Sequence, residues 1–520
     1  MSDQVAAALR ELPGYLASHV LVSACAMGLG VLIGLPISVV CARNARLRWL
    51  VLAGAGLVQT IPGLALLALF YPLLLGVSAL THRAFGFGVQ ALGFLPSVMA
   101  LTLYSLLPIV RNAVTGLTGV DAHVLEAADG VGMTPRQRLF QVEVPLAAPV
   151  VMAGLRTATV WTIGAATLAT SVGQTTLGNY IFSGLQTENW VFVLFGCAAA
   201  TALALVTDQL LSLVESGVAQ RKRPRIALGL GCLTAGVVLA LLPMARAAGG
   251  GGKPSYVIGA KNFSEQFILA DLMSRRVEAQ GFAVSRKESL GSAVAFRSLA
   301  SSDIDAYVDY SGTLWANVLN RTDTPPRAEM LAELTRLLKE RYGVELLGSL
   351  GFENAYVLAM GGEKARAQGI VTIGDLAAKA PGLALGSDLE FLSRPEWTAL
   401  TSAYGLSFRE QRSYSPTFMY RALETGTVDV ISAFSSDGRI AAQKLTVLGD
   451  PRGALPAYDA VVLLSPKRAQ DAALRRALVP LLGAISVERM REANLMVDRD
   501  EGKASPRDAA TFLSSTLPPP

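Results

Sequence analysis

Up to about Arg246 the chain alternates long apolar runs with short polar joints; beyond Lys253 the runs shorten and charges are spread throughout. A bilayer core takes about 20 mostly apolar residues per helix, and stretches of that kind fall near residues 18–41, 50–71, 92–110, 147–171, 191–214 and 226–245. The second stays apolar to about Leu80 and contains Pro62, so a kink is expected there and the number of spans is open by one. Lys and Arg gather in cytoplasmic joints. The joint after the first span holds Arg43, Arg46 and Arg48, that after the third Arg111, Arg136 and Arg138, and that after the fifth Arg221, Lys222, Arg223 and Arg225, whereas the alternate joints hold few, Arg83 being the main exception. This bias predicts an outside N-terminus and a sixth span that delivers residues 254–520 to the outside.

From Tyr256 onward, short β-rich runs alternate with helical ones. Tyr256–Ala260 and Phe282–Lys287 read as strands around a helix over Glu265–Gln280; Ala355–Met360, Leu383–Gly386, Val428–Ala433 and Asp459–Leu464 are further strands. Such alternation predicts parallel sheets with helical crossovers. About 265 residues suffice for two lobes, and ligands in such folds sit at the carboxyl ends of strands. Between the halves, basic Arg221-Lys222-Arg223, apolar Ile226–Leu242 and small-residue Ala245-Arg246-Ala247 have the layout of a signal peptide; an uncleaved anchor is favoured over cleavage, and lipid attachment at Cys232 is disfavoured because little apolar sequence precedes it. The stretch Gly249-Gly250-Gly251-Gly252-Lys253-Pro254-Ser255 reads as a flexible tether. The expected domains are therefore a membrane domain over 1–220, an extra span with tether over 221–255, and a globular domain over 256–520.

Composition agrees with this division. The 520 residues are 52% hydrophobic and their mean hydropathy is +0.42, beyond ordinary soluble chains. The net charge of +5 does not point to nucleic acid, because many basic residues stand at span ends and none forms a stripe with aromatics. Cys25, Cys41, Cys197 and Cys232, like His19, His82 and His123, all precede the globular domain, which therefore has neither a disulfide framework nor a Cys/His metal site. It also has no recognisable nucleophile arrangement, so the chain does not read as an enzyme. No phosphate-binding G-x-x-x-x-G-K-[ST] loop is present; Gly252-Lys253-Pro254 is a near miss with Ala247 where the first glycine belongs.

The joint after the third span reads Glu126-Ala127-Ala128-Asp129-Gly130-Val131-Gly132, then nine residues, then Val142-Glu143-Val144-Pro145. Glu and Ala favour helix, Gly132 permits a turn and Pro145 ends the segment. The whole resembles the EAA loop of ABC importer permeases. That resemblance implies two short helices docking in a cleft of a separate cytoplasmic ATPase subunit, with Glu126, Ala127, Ala128, Gly132 and Pro145 as coupling residues. It implies no cofactor in this chain, ATP and Mg being held by the partner, and a pairing of permeases, most simply a homodimer. Gln59-Thr60-Ile61-Pro62-Gly63 is similar to a run of the glycine betaine and choline branch, although it could equally be a helix break.

In the globular domain the runs Gly259–Gln266, Asp305–Thr313, Gly351–Tyr356, Glu390–Pro395 and Asp429–Gly438 resemble, in order, the binding proteins for glycine betaine, choline, carnitine and related quaternary amines. The resemblance implies a fold class of an all-α polytopic membrane domain of the type I ABC importer kind, with about six spans, followed by an α/β two-lobed periplasmic-binding-protein fold. Lobe one would span about 256–355 and 460–520, and lobe two about 356–459. A trimethylammonium group has no N–H to donate, and aromatic faces hold it at roughly 0.5–2 kcal/mol per ring. Tyr310, Tyr356 and Tyr420 are the first cage candidates, Tyr307 and Tyr458 weaker ones; any single tyrosine could equally be a core residue. Arg394 could clamp a carboxylate or pair with Glu390 or Glu396. Thr313 and Ser264 could bond solute or cap helices. Glu396-Trp397 departs from the common family pattern, and Trp397 could reshape the site. The expected function is ATP-driven uptake of a quaternary-ammonium solute by a multi-pass protein of a bacterial inner membrane, with its C-terminal domain outside the cytoplasm. An ergothioneine importer of the same architecture is the alternative, and a ligand-sensing receptor or channel is the alternative of another class.

Overall fold

The computed structural model describes residues 2–85, 91–187, 189–249, 255–321, 323, 325–499 and 501–517. Tether residues 250–254 lie outside the described residues. The chain divides into two compact units, one largely within 5–251 and the other largely within 252–520.

Among the described residues, six helices of the first unit are long and apolar enough to cross a membrane: Gln4–Arg43, Gly63–Phe85, Phe94–Thr118, Pro135–Val172, Trp190–Ala219 and Arg223–Ala245. The number agrees with the hydrophobic pattern, but the second span does not. Helix α1 covers Ser2–Arg43, and residues 50–71 do not form one helix: α2 (Ala45–Thr60) stops and α3 (Gly63–Phe85) begins anew. Ile61 is extended, with φ −73° and ψ 126°, because the ring of a following proline disfavours the helical region. Helix α4 (Phe94–Thr118) fixes the break: the Tyr104 hydroxyl donates to the Ile61 carbonyl at 2.5 Å and the Gln59 amide to the Tyr104 carbonyl at 3.2 Å. Pro62 thus ends a helix rather than kinking one.

The loop after α4 folds into α5 (Ala122–Gly130) and the short α6 (Pro135–Arg138), then α7 (Val144–Ala166) re-enters the apolar region. Asp121 caps α5 by accepting from the His123 amide. Gly132 has φ +78°, a conformation open to glycine. Glu126 and Ala127 are exposed, Ala128 is buried, and Pro145 stands exposed in the first turn of α7. The buried Glu143 accepts from Arg138 at 2.9 Å and from Arg43 at 3.2 Å, and Arg138 reaches Asp129 at 2.6 Å. Helices α4 and α7 approach closely because their contact is lined by glycine: a Cβ on Gly154 would lie 2.9 Å from the Pro108 carbonyl, and one on Gly116 3.0 Å from that of Ala147.

Among the described residues the second unit has ten strands: β1 (Ser255–Lys261), β2 (Ala283–Leu290), β3 (Ala306–Tyr310), β4 (Glu345–Glu353), β5 (Tyr356–Gly361), β6 (Ala384–Asp388), β7 (Glu410–Tyr414), β8 (Val430–Phe434), β9 (Leu445–Val447) and β10 (Asp459–Leu464). They form two sheets, ordered β2-β1-β3-β10-β4 and β7-β6-β8-β5-β9. The sheets are mixed, not parallel throughout. β10 runs antiparallel to β3 and β4, and β5 antiparallel to β8 and β9. Both strands directly follow a crossing between the lobes, so each enters its sheet from the end opposite to that used by the βαβ strands. The crossings lie side by side, the Asn354 amide donating to the Tyr458 carbonyl at 2.9 Å.

Gly312 illustrates how closely this junction packs: a Cβ there would lie 2.7 Å from the Tyr458 ring. Gly312→Ala should destabilise the domain by about 1–3 kcal/mol through overpacking. Gly382→Ala, where a Cβ meets nothing within 4 Å, serves as the control. Thermal unfolding of the full chain should show a lower transition for the first variant and an unchanged one for the second.

Candidate functional site

Strand polarity assembles the site. Lys261, Tyr310, Asp388 and Phe434 are the last residues of β1, β3, β6 and β8, while Tyr356 opens β5 and Tyr458 immediately precedes β10. Because β5 and β10 are reversed, their beginnings lie at the same edges as the carboxyl ends of the parallel strands. A cleft results, lined by these six residues and by Phe263, Thr313, Asn354, Glu390, Arg394 and Ser415 among others.

Five aromatic rings form its walls. Phe263 stacks on Tyr310 with centroids 6.1 Å apart and lies 6.3 Å from Phe434, with the planes parallel within 2°. Tyr356 lies 5.0 Å from Phe434 and meets Tyr458 edge to face at 5.8 Å. Behind Tyr356 stands Phe391 at 4.9 Å. Phe263 and Phe434 were not among the sequence candidates. Both stand inside the quoted motif runs, and cation recognition by a ring needs no hydroxyl.

The charges around the rings are mostly negative. Lys261 pairs with Asp309 and lies 5.3 Å from the Tyr310 centroid. Arg394 is buried, 5.4 Å from the Tyr356 centroid, and bridges Glu390 at 3.2 Å and Glu396 at 3.5 Å; its Nε has no hydrogen-bond partner. Arg394 therefore lines the cleft and also makes the ion pairs that were its alternative. Asp388 accepts from the amides of Glu390 and Phe391 through one oxygen, while the other is buried without a partner. Burial pushes the Asp388 carboxyl above the ordinary range, against those two amides. Tyr458 donates to Glu396, and Tyr310 donates to the buried Glu265 at 2.6 Å. Two cations, Lys261 and Arg394, thus face five carboxylates, Glu265, Asp309, Asp388, Glu390 and Glu396, that line the cleft or bond to side chains that do.

Of the sequence candidates, Tyr310, Tyr356, Tyr458, Arg394 and Thr313 come together. Tyr420, Tyr307 and Ser264 do not line this cleft. Tyr420 lies in the core of lobe two beneath the Arg439 guanidinium at 4.0 Å. Tyr307 is fully buried and donates to Asp309 at 2.5 Å, its ring in the cluster with Leu334 and Trp315. Ser264 donates to the buried Asp498, and the N-cap position of its helix is held by Phe263. Thr313 lies within the short helix Ser311–Thr313 and does not cap it. Trp397 is core, packed between Phe391 and Phe408, and its neighbour Glu396 is what reaches the site.

With the geometry in place, the similarities of the chain follow. Residues 254–515 match the substrate binding domain of the ABC-type glycine betaine transport system, and residues 34–220 match the binding-protein-dependent transport system inner membrane component. The ergothioneine transport permease/ergothioneine binding protein EgtU of Helicobacter pylori is 29% identical over 90% of this chain and 83% of its own length. The choline transport system permease protein OpuBB of Bacillus subtilis is 41% identical over 38% of this chain and 83% of its own. A crystal structure of a glycine betaine/carnitine/choline ABC transporter is 26% identical, with a TM-score of 0.44, over 50% of this chain and 98% of that one. The chain belongs to the binding-protein-dependent ABC importers of the osmoprotectant and ergothioneine kind, with membrane permease and substrate-binding domain carried on one polypeptide.

Proposed function

We propose that the solute is a quaternary amine, and that the five rings of Phe263, Tyr310, Tyr356, Phe434 and Tyr458 are its cage. The observation carrying this reading is their convergence, from both lobes and both crossings, on a cleft whose flanking charges are in negative excess. A trimethylammonium group is held by ring faces and dispersion alone, which this wall supplies. A carboxylate on the same solute would engage Arg394, whose Nε is a free donor. Glycine betaine, choline and carnitine suit this site, and Thr313 would contact the solute. A second reading, ergothioneine, is favoured by the H. pylori relative, whose match extends across both halves of this chain.

The energy source in this reading is a separate ATPase subunit that holds ATP and Mg. Its dock is the loop between α4 and α7, where Val131 and Phe140 are 75% and 68% exposed. Apolar side chains standing free on a connecting loop suit a protein partner. Two copies of this chain would flank the pathway, in a bacterial inner membrane. The helix Arg223–Gly249 and the tether after it would hold the binding domain outside the cytoplasm, over its own permease. A short flexible link keeps the effective concentration of the domain at about the millimolar level.

Calorimetry on the full chain against glycine betaine, choline, carnitine, proline betaine and ergothioneine, with an amino acid as control, tests the solute class. At least one quaternary amine should bind, and Tyr356→Ala should weaken it about tenfold or more, the loss of one desolvated cation–π contact and its packing. Binding of the amino acid alone would sink the assignment. Phe140→Asp should abolish co-purification of the ATPase and uptake while leaving solute affinity unchanged; retained co-purification would contradict the docking role.

A further inference from the structure

Glu265 is the second residue of the helix Ser264–Ala279 and is buried. Its carboxylate accepts four hydrogen bonds from four separate segments. The Tyr310 hydroxyl at 2.6 Å and the Asn354 amide at 3.1 Å reach Oε1; the Ser436 hydroxyl at 2.6 Å and the Asn494 amide at 2.8 Å reach Oε2. Every donor is neutral, and among the described residues no Lys, Arg or His pairs with it. Burial pushes the carboxyl up, and the four donors pull it back.

Second bonds fix where the protons lie. The Gln266 amide donates to the Tyr310 oxygen at 3.0 Å, which commits the phenol proton to Glu265. The Asn494 amide nitrogen also donates to the Ser436 carbonyl at 3.0 Å, which holds its NH2 group toward the carboxylate. An ionised carboxylate is an acceptor only, whereas a protonated one must donate. This ring of donors therefore suits the ionised form.

We infer that Glu265 is a specificity-determining residue, a fixed negative charge without a counter-ion that acts on the solute through the Tyr310 phenol. The inference rests on the quaternary-ammonium reading above. A phenol that gives its proton to a carboxylate has a more electron-rich ring, and Tyr310 presents that ring to the cleft. The attraction between cation and ring is electrostatic and strengthens where water is excluded. Lys261 also lies near the Tyr310 ring, but its charge is balanced by Asp309, to which Tyr307 donates as well. The charge of Glu265 is left for the solute. Glu265 is a positioning residue, since it bonds the phenol hydroxyl and does not itself line the cleft.

The test separates charge from shape. Glycine betaine and 3,3-dimethylbutanoate differ only in N⁺ against C, as do choline and 3,3-dimethylbutan-1-ol. Kd values for both pairs are measured on the full chain. The wild-type preference for the cation tests the quaternary-ammonium reading itself, and equal binding of cation and isostere in both pairs would overturn that reading. Glu265→Gln should cut the cation-over-isostere ratio about tenfold, equivalent to about 1.4 kcal/mol, and leave the Kd of the uncharged 3,3-dimethylbutan-1-ol within about twofold. Tyr310→Phe keeps the ring and the carboxylate but removes the bond between them. It should lower the ratio as well, by less, and Glu265→Gln should add little on that background. A ratio unchanged in Tyr310→Phe, or a Glu265→Gln variant that weakens cation and isostere alike, would make Glu265 a structural tie and overturn the inference. If Glu265→Gln does not fold, the ratio in Tyr310→Phe decides alone.

Discussion

Four hydrogen bonds converge on the buried carboxylate of Glu265, and the geometry of the outer domain depends on them. The donors come from the end of β3, from the first lobe crossing, from the turn after β8 and from the helix Val487–Asp498. Lobe one, lobe two and the crossing between them thus meet at one buried charged group. A buried charge costs several kcal/mol unless its hydrogen bonds are made, so each segment must stand where its donor is satisfied. Tyr310 is oriented by this requirement, and the wall of rings follows from Tyr310 through Phe263 to Phe434 and Tyr356. The cleft is in this sense built outward from a polar centre, with the apolar cores of the two lobes on either side.

Much of this fold was legible in the chain, and the exceptions have identifiable causes. Strands buried along their length, such as Asp459–Leu464, announced themselves as apolar runs. β7 carries Glu410-Gln411-Arg412-Ser413-Tyr414 at the edge of its sheet and offers no such signal. β4 contains Gly348 and Gly351 at positive φ, which interrupts the pattern of a strand that is nonetheless paired. In the site, choosing residues by type found Tyr310 and Tyr356 but also Tyr307. Tyr307 and Tyr310 stand three apart in one strand and so face opposite sides, a distinction invisible until the register is known. Phe263 and Phe434 were not among the candidates, although a phenylalanine face holds a cation as a tyrosine face does. The reversal of β5 and β10, which brings Tyr356 and Tyr458 to the site, depends on long-range pairing that no local pattern encodes.

The membrane half shows a similar division between pattern and packing. Span number followed from hydropathy, since lipid demands length and apolarity. The break at Ile61 followed from Pro62, but its full extent depends on Tyr104 from another helix. The loop between α4 and α7 draws its shape from Gly132 and from the ion cluster of Arg43, Asp129, Arg138 and Glu143. Val131 and Phe140 stand on the surface of this loop.

The central claim is that captured solute is moved by ATP hydrolysis. Its most direct test is accumulation of a labelled quaternary amine in proteoliposomes carrying this chain and its ATPase partner. The account predicts accumulation above the external concentration, dependent on ATP and on the solute-binding domain. Equilibration without ATP, stopping at equal concentrations on both sides, would contradict it and favour a ligand-gated channel.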